Sequence, residues 1–450
     1  MTYIPFARQS ASDGETLDHS GERLLNCLAE PIDGKGAMLV RGVSGLERFG
    51  DLDADGEVRA LCPMNGVLFA AAGGRLWRIK EDGAAEDLGG IADGPAVIAC
   101  GGTEVAVVAG GIYHLWDGTT ITTPDTADLT DIQGVAYLDG YFILIGSADG
   151  RGDAFIVTGI DDGATIRADD LIYARASTDA LVAVRADHGE VALFGRSTLQ
   201  FAYNAGEAVG PIRTNPTAVV EAGCSEPRTV ASVDNGLFWV GPGGIVYRSD
   251  GVSPQVISTR QVERALTAAT VLGALILVDG GHKVYTVILK DEAAWSYDLT
   301  TGLWGERGSG VDGGEWIGRV AHFAWGNHFV GARDGRLYRL SASRNDEAGA
   351  PLLREAISPP LVQGGRRFPI NRLVLGMETG TSDLDRPASI TFAASDDGRR
   401  WRREMFREVG RQGDYEERVP FHGLGAFRRA QFRVRMTDDA PFRLSGVSIG

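Results

Sequence analysis

The chain has 450 residues, of which 44% are hydrophobic, so it can bury one large or two ordinary cores. Its formal net charge is −16 at pH 7, and a surface this acidic repels nucleic acid backbones rather than gripping them. Because no apolar run is long enough for a membrane span and the N-terminus has no signal-peptide pattern, we expect no membrane insertion and no secretion signal.

The metal-binding and redox residue types are scattered. The four cysteines, Cys27, Cys62, Cys100 and Cys224, contain no C-x-x-C pair, so we expect buried free thiols. The seven histidines are equally dispersed. Residues 51–56 read D-x-D-x-D-G, like the start of a calcium loop, but Cys62 stands where the bidentate acid belongs. We therefore predict a solvated turn at 51–56, and neither a metal site nor a cofactor.

Residues 1–56 contain few strand signals and many turn-forming residues. They predict an extended N-terminal arm that crosses other surfaces, with one short strand near 37–40.

From residue 57 to residue 343 one pattern recurs seven times: an apolar strand, a glycine turn and a second strand that carries an aromatic residue. The copies are VLFAAAGGRLWRI (67–79), VAVVAGGIYHLWDG (105–118), YFILIG…GDAFIV (141–157), VALFGRSTLQFAY (191–203), LFWVGPGGIVYRSDG (237–251), ALILVDGGHKVYTVI (274–288) and HFVGARDGRLYRL (328–340). The turn glycines, Gly74, Gly111, Gly146, Gly195, Gly244, Gly281 and Gly335, are spaced by roughly 43 residues on average, the length of a propeller blade.

This repeat predicts an all-β chain whose main body is a β-propeller of about seven blades, with six as the alternative. Six aromatic residues are expected at equivalent blade positions, where they pack between blades: Trp77, Tyr113, Tyr203, Tyr247, Tyr285 and Tyr338. One helix is predicted over 259–269, between two blades.

After a polar segment at 341–351 the pattern changes to longer, more widely spaced strands. These are predicted at 368–377, 388–394, 401–408, 416–420, 431–436 and 442–449. Six such strands indicate a β-sandwich-like C-terminal domain over 344–450. This part of the chain is rich in arginine: residues 341–450 contain 18 arginines and 15 acids.

No catalytic motif is present: the sequence contains no G-x-S-x-G, no P-loop and no H-E-x-x-H. Residues 395–401 (SDDGRRW) are similar to the Asp-box hairpin of sialidase-type propellers, which is a folding turn. We therefore expect no catalytic, cofactor-binding or metal-binding residues, and no enzymatic activity. The alternative is a propeller glycoside hydrolase or carbohydrate-binding protein, because the 60 acids could supply a catalytic pair.

Short segments along the chain resemble the packaged-DNA stabilisation proteins of short-tailed phages, also called tail hub or nozzle proteins. These segments are 23–31 (RLLNCLAEP), 39–46 (LVRGVSGL), 193–201 (LFGRSTLQF), 395–398 (SDDG), 425–429 (GAFRR), 432–435 (FRVR) and 441–446 (PFRLSG). Two positions depart from the family pattern: 43–44 lack the usual proline, and Gln200 replaces an acid.

The resemblance implies a structural virion protein of the phage tail, assembled in the host cytoplasm. Such proteins form a hexameric ring below the portal and its adaptor, or head-completion protein. They extend the DNA channel, help to retain packaged DNA, and provide attachment sites for a tail needle or plug and for tail fibres or spikes. DNA would pass through without specific binding, which agrees with the acidic charge of the chain.

Within such a particle, an arm without a core of its own gains burial only by lying on a neighbour. Arginine is also favoured over lysine in protein interfaces. We therefore expect the arm and four arginines of the C-terminal domain to make contacts to other subunits or virion proteins. These arginines are Arg428, Arg429, Arg433 and Arg435.

Overall fold

The computed structural model describes residues 2–6, 9–10, 21–32, 37–174, 179–251 and 253–450. Five strands lie in the N-terminal part of the chain. They are β1 (Thr2–Pro5), β2 (Arg23–Leu25), β3 (Cys27–Ile32), β4 (Ala37–Gly42) and β5 (Gly45–Asp53).

Seven antiparallel four-stranded blades follow among the described residues: six are separate sheets, and the seventh, blade 6, is one end of a ten-stranded sheet. Blade 1 comprises β6 (Val58–Met64), β7 (Val67–Ala72), β8 (Arg75–Ile79) and β9 (Ala85–Gly90). Blade 2 comprises β10 (Ala96–Cys100), β11 (Val105–Ala109), β12 (Ile112–Trp116) and β13 (Ile121–Thr122). Blade 3 comprises β14 (Thr130–Leu138), β15 (Tyr141–Ala148), β16 (Arg151–Gly159) and β17 (Asp162–Tyr173). Blade 4 comprises β18 (Leu181–Asp187), β19 (Glu190–Gly195), β20 (Leu199–Asn204) and β21 (Ile212–Val220).

Two short 3-10 turns, Pro227–Thr229 and Pro242–Gly244, lie before and within blade 5. Blade 5 comprises β22 (Ala231–Val233), β23 (Gly236–Val240), β24 (Val246–Asp250) and β25 (Ser253–Val256). Helix α1 (Arg260–Ala268) follows, with the Thr259 side chain accepting a hydrogen bond from the Val262 amide at its start. Blade 6 comprises β26 (Val271–Asp279), β27 (His282–Leu289), β28 (Ala294–Asp298) and β29 (Leu303–Arg307). Blade 7 comprises β30 (Gly318–Ala324), β31 (Asn327–Ala332), β32 (Arg336–Ser341) and the N-terminal strand β5.

The propeller therefore closes through the N-terminal part of the chain. Strand β5 pairs antiparallel with β32, from Gly45 opposite Ser341 to Asp53 opposite Arg336. Residues 45–53 were predicted to belong to the arm, because turn-forming residues flank the segment, but they form the outer strand of blade 7. The segment's own alternation is weak, since only Gly45, Leu46 and Leu52 are buried in this outer strand.

The first strand of every blade lines a central cavity of about 620 Å³. Apolar layers fill the space between neighbouring blades, and Trp239, Tyr113 and Tyr285 are fully buried in them. Each blade is buried on both faces. This explains why all five residues are buried in a middle strand such as β11.

The predicted seven-copy repeat matches this ring with one shift of phase. Six copies span the second and third strands of their blades, but 274–288 spans β26 and β27, the first and second strands of blade 6. Tyr285 consequently lies on a second strand, whereas the other five predicted aromatics lie on third strands. Of these, Tyr113 and Tyr338 are buried, while Tyr203 is 43% exposed. Tyr203 is thus not a residue packed between blades.

Five of the seven predicted turn glycines have the positive φ that a tight turn requires: Gly74, Gly111, Gly244, Gly281 and Gly335. Gly146 and Gly195 instead lie within strands β15 and β19. The turn of blade 3 is formed by Asp149 and Gly150, with φ of 51° and 72°. Gly150 of this turn lies four residues after the predicted Gly146, and Asp149 beside it tolerates the left-handed region.

The remaining strands form a two-sheet sandwich. They are β33 (Arg354–Ile357), β34 (Leu361–Val362), β35 (Phe368–Met377), β36 (Ser389–Ser395), β37 (Met405–Glu408), β38 (Val419–Phe427), β39 (Arg429–Met436) and β40 (Arg443–Ile449). One sheet has the order β3-β4-β40-β35-β38, with β1 also on β40, and the other has the order β2-β33-β39-β36-β37, with β34 also on β39.

Aromatic side chains join the two sheets of the sandwich. The ring centroid of Phe392 lies 4.3 Å from that of Phe421 on the opposite sheet and 5.8 Å from that of Phe432. N-terminal residues belong to the same core, because Phe6, Leu24 and Val40 are buried in it. The predicted arm therefore lies on the sandwich of its own chain, and β1, β3 and β4 complete one of its sheets.

The cysteines divide into two pairs. Cys27 and Cys224 are free and buried, as expected, and burial raises the pKa of each thiol to about 12. Cys62 and Cys100, in contrast, form a disulfide between the inner strands of blades 1 and 2, with Cα atoms 6.2 Å apart. The expectation of a free thiol is wrong for these two, because the packing of neighbouring blades brings together residues that are 38 positions apart.

Among the described helices, none combines the length and apolar character needed to cross a membrane.

The closure of the ring predicts that Gly335→Ala is more destabilising than an alanine at an open turn. Gly335 has a φ of 78°, and an added Cβ would collide with the carbonyl oxygens of Ala54 and Gly56 at the end of β5. We expect a loss of about 2–4 kcal/mol, from left-handed strain plus overpacking. Gly243→Ala is the control, because Gly243 has a φ of 76° and open space around it, so only the strain of about 1–2 kcal/mol applies. Equal midpoints of chemical unfolding for the two variants would contradict this.

Candidate assembly site at the junction of propeller and sandwich

Strand β2 connects the two parts of the fold. It pairs in parallel with β29 of blade 6, Leu25 being opposite Glu306. On its other side it pairs antiparallel with β33, Arg23 being opposite Ile357. Ten strands therefore form one sheet that runs from blade 6 into the sandwich.

Arg23 reinforces this connection with two ion pairs. Its Nη2 lies 2.6 Å from Oε2 of Glu306 in the propeller, and its Nη1 lies 3.0 Å from Oε1 of Glu355 in the sandwich. Burial works to lower the pKa of Arg23, but the hydrogen bond to Glu306 and both carboxylate charges raise it above its usual value. One guanidinium thus binds an acid from each part.

Asn26 follows β2 with a φ of 53° and is fully buried. Its Nδ2 donates to the carbonyl oxygens of Gly308 at 2.9 Å and Leu353 at 2.7 Å, and its Oδ1 accepts from the Gly308 amide at 3.0 Å. Its own amide donates to the carbonyl of Glu306 at 2.8 Å. Asparagine suits this place, since it accepts the left-handed conformation and bonds the backbone on both sides.

The β3–β4 hairpin is held against blade 6 by a chain of charges. Glu30 accepts from Arg41 Nε at 2.5 Å and lies 3.2 Å from Nε2 of His282. Nδ1 of His282 lies 2.7 Å from Oδ2 of Asp298. The hydrogen bond to Asp298 raises the pKa of His282, against the effect of burial. Burial works to raise the pKa of Asp298, but hydrogen bonds led by that of His282 hold it below its usual value.

The turn after β4 is fixed in the same way. The buried carboxylate of Asp279 accepts from the Ser44 amide at 2.8 Å and from the Ser44 hydroxyl at 2.7 Å. Nη2 of the buried Arg307 donates to the Ser44 carbonyl at 3.2 Å. These contacts hold the chain where it passes from the sandwich into β5.

The polar segment 341–351, after which the strand pattern changes, also packs on the propeller. The amides of Gly45 and Leu46 donate to the carbonyls of Arg344 and Asp346 at 2.8 and 2.9 Å. Glu347 accepts from Nε1 of the buried Trp316 at 3.1 Å, and burial raises the pKa of this carboxyl.

Two of the four predicted contact arginines are engaged within the chain. The buried carboxylate of Glu355 lies 2.5 Å from Nε of Arg435 and 4.0 Å from Nε of Arg433. Arg433 also binds Glu404 at 2.8 Å and stacks on the ring of Trp401 at 4.5 Å. These arginines stabilise the sandwich and its junction with β2.

The other two arginines are placed differently. Arg429 donates to Oε1 of Gln431 at 3.3 Å and is half-buried. Arg428 is exposed and has no acidic partner in the part of the chain that the structure describes. Arg428 is therefore the one of the four with a guanidinium available for a contact outside the chain.

The Asp-box-like segment is a folding turn in the structure, as predicted. The Ser395 hydroxyl accepts from the Gly398 amide at 2.9 Å, and Asp397 accepts from the amides of Arg399 and Arg400 at 2.8 and 2.7 Å. These backbone hydrogen bonds lower the pKa of Asp397.

Two of the segments on which the resemblance depends thus meet at this junction. Residues 23–31 and 39–46 contribute Arg23, Asn26, Glu30, Arg41 and Ser44. Sequence reasoning missed the partners on the other side, namely Asp279, His282, Asp298, Glu306 and Glu355. No local motif marks them, because they lie about 240 to 330 positions away in the sequence.

Family comparison decides the identity of the chain. Residues 3–344 match the family model described as the β-propeller of bacteriophage P22 Gp10, and residues 354–450 match the model of its β-sandwich. The chain belongs to the bacteriophage P22 Gp10 family. It is therefore a structural phage protein of the DNA-stabilisation type and a component of the virion.

Other comparisons add only a general likeness. The WD40 repeats of RRP9 have 10% identity and a TM-score of 0.44, over 66% of this chain and 99% of that one. The WD40 domain of Neurospora crassa Pan2 has 8% identity and a TM-score of 0.43, over 64% and 89%. The designed protein Ika8 has 15% identity and a TM-score of 0.40, over 72% and 98%. No curated protein sequence matches the chain.

The buried hydrogen bonds of Asn26 predict a large effect of Asn26→Ala. The change leaves the Gly308 amide and the carbonyls of Gly308 and Leu353 without their partner, so we expect a loss of about 3 kcal/mol or more in the free energy of unfolding. Asn65→Ala is the control, because Asn65 has a similar φ of 50° but is exposed and makes one side-chain bond. Its cost should stay within about 1 kcal/mol. A similar loss in both variants, measured by chemical denaturation, would refute the role of Asn26.

The charge chain at His282 predicts a pH-dependent contribution to stability. Because the pKa of His282 is raised in the folded state, its contribution is complete below the unfolded pKa of about 6.5 and is lost as the pH rises through the folded value. His282→Gln should therefore cost about 1.5–3 kcal/mol near pH 6, and less near pH 8. Unfolding curves of both proteins at the two pH values test this. A cost that is equal or larger at the higher pH would contradict it.

Proposed function

We propose that six copies of this protein form the tail hub, or nozzle, ring below the portal and its adaptor. The ring would extend the DNA channel, help to retain packaged DNA, and carry a tail needle or plug and tail fibres or spikes. The match of both family models along the chain is the observation that carries this proposal.

The geometry of the junction supports a role in a ring that is under mechanical load. A ring that withstands the pressure of packaged DNA needs subunits whose parts do not hinge freely. The ten-stranded sheet and the two ion pairs of Arg23 connect blade 6 to the sandwich without a flexible linker. The subunit would therefore enter the ring as one rigid body.

The charge supports passage of DNA without binding. A net charge of −16 means that contact with the phosphate backbone would release few counterions, so the electrostatic part of DNA affinity is absent. DNA would therefore pass through such a channel without being held by electrostatic attraction to its wall.

For contacts between subunits or with other virion proteins we propose Arg428. It is exposed, and its neighbour Phe427 is buried, so the backbone that presents Arg428 is fixed. A pre-organised guanidinium loses little entropy when it binds a carboxylate of a partner.

The alternative is a glycosidase or carbohydrate-binding propeller, which would require two carboxylates facing across a sugar. Among the described residues that line the central cavity, Glu57 is the single acid, and Arg319 binds it at 3.2 Å. This lining favours the structural role.

The mass of the purified protein in solution tests the ring. One chain has a mass of 47.9 kDa, so a ring of six has a mass of about 290 kDa. Light scattering with the portal–adaptor complex present should show this mass bound to the complex. Monomers that never join the complex would contradict the proposal.

Two arginine variants separate assembly from folding. Arg428→Glu should reduce incorporation into the ring at least about tenfold, with unchanged thermal unfolding, because only an external contact is reversed. Arg435→Ala should lower the thermal stability instead, because the buried Glu355 loses the shortest of its ion pairs, at 2.5 Å. If Arg428→Glu assembles like the wild type, Arg428 is not an assembly contact.

A further inference from the structure

The central cavity differs in charge from the rest of the chain. The protein as a whole is acidic, but four arginines, Arg59, Arg185, Arg228 and Arg319, line the cavity together with His322, His328 and a single acid, Glu57. Its volume of about 620 Å³ lies within the range of ligand pockets, roughly 300–1,000 Å³.

The charge of Arg319 is neutralised by two neighbouring carboxylates. Its Nε lies 3.2 Å from Oε2 of Glu57, and its Nη2 forms a short ion pair with Glu315. Arg319 therefore brings no net charge to the cavity.

Arg185, on the inner strand of blade 4, has no ion pair with any acid among the residues that the structure describes. Solvent reaches its side chain, but its position in the cavity surrounds it with protein, and this burial lowers its pKa. The acid nearest to it in sequence, Asp187, is engaged with the Ser232 hydroxyl at 2.7 Å and with Nδ1 of His188 at 2.9 Å. Burial lowers the pKa of His322 on blade 7, and the positive charge of Arg185 lowers it further.

Arg59, on the inner strand of blade 1, is also incompletely satisfied. Its Nη1 donates to the carbonyls of Ala92 and Gly94 at 3.0 and 2.6 Å. Its Nε and Nη2 are buried without a hydrogen-bond partner among the described residues. Burial lowers the pKa of this guanidinium as well. A buried cation without its partners is costly, and an anion nearby offsets the cost.

Apolar groups line the same cavity. Phe323, on the inner strand of blade 7, is 54% exposed, and Val278 of blade 6 is 37% exposed. An occupant would therefore meet cationic and apolar surface together.

We propose that the central cavity binds a small organic anion, whose acidic group pairs with Arg185 and whose apolar body lies against Phe323. The cavity size, the guanidinium of Arg185 and the exposed ring of Phe323 in the same lining define this class of ligand. The occupant fills the propeller axis of one subunit, so its binding is independent of the ring.

Two fluorescent probes test the two parts of this proposal on the full-length protein. Anilinonaphthalene sulfonate has an apolar body and one sulfonate, and N-phenyl-1-naphthylamine has a matching body without the charge. We expect saturable binding of the sulfonate at one molecule per chain, at least about tenfold tighter than binding of the neutral probe. Equal affinities, or binding that does not saturate, would overturn the proposal without any variant being made.

Variants then locate the site. Arg185→Gln should weaken binding of the sulfonate at least about tenfold and change that of the neutral probe by less than about twofold. Phe323→Ser should weaken both probes. Arg167→Gln, at an exposed arginine on the outer strand of blade 3, should change neither. If Arg185→Gln and Arg167→Gln bind the sulfonate equally well, the anion does not occupy the cavity and the proposal fails.

Discussion

The pairing of β2 with β29 on one side and with β33 on the other is the interaction on which the rest of the structure depends. Three residues, Arg23 to Leu25, turn a propeller blade and a sandwich sheet into one ten-stranded sheet. A three-residue strand contributes little to stability by its own pairing. Its effect comes from the polar groups on both sides to which it and its neighbours form hydrogen bonds and ion pairs. Arg23 and Asn26 supply these contacts, and each binds groups from both parts of the fold.

The same N-terminal segment performs two further tasks. Strands β1, β3 and β4 complete one sheet of the sandwich, and β5 closes the seventh blade. One N-terminal segment thus supplies strands to both the sandwich and the propeller, and it links the closure of the seventh blade to the sandwich. Asp279 and Arg307 hold Ser44, at the point where the chain changes from one task to the other.

Patterns of neighbouring residues in the sequence predicted the elements whose conformation is set by those neighbouring residues. The 368–377 strand, the helix near 260–268 and the five positive-φ turn glycines follow from alternation, capping and steric freedom. Long-range pairing was beyond such patterns. The 45–53 strand pairs with β32 only in the closed ring, and the Cys62–Cys100 disulfide joins two neighbouring blades. The acidic partners of Arg433 and Arg435 lie on other parts of the sandwich. The sixth repeat was out of phase because blade 6 makes its later turn with Asp291, at a φ of 61°, rather than with glycine.

Hydrogen exchange at the Asn26 amide tests the central claim most directly. This amide donates to the Glu306 carbonyl at 2.8 Å, between the propeller and the sandwich. If β2 is an integral part of one continuous sheet, Asn26 will exchange only by global unfolding, as slowly as the buried amides of β27. If Asn26 exchanges as fast as an exposed loop while β27 remains protected, β2 is a peripheral arm and the account is wrong.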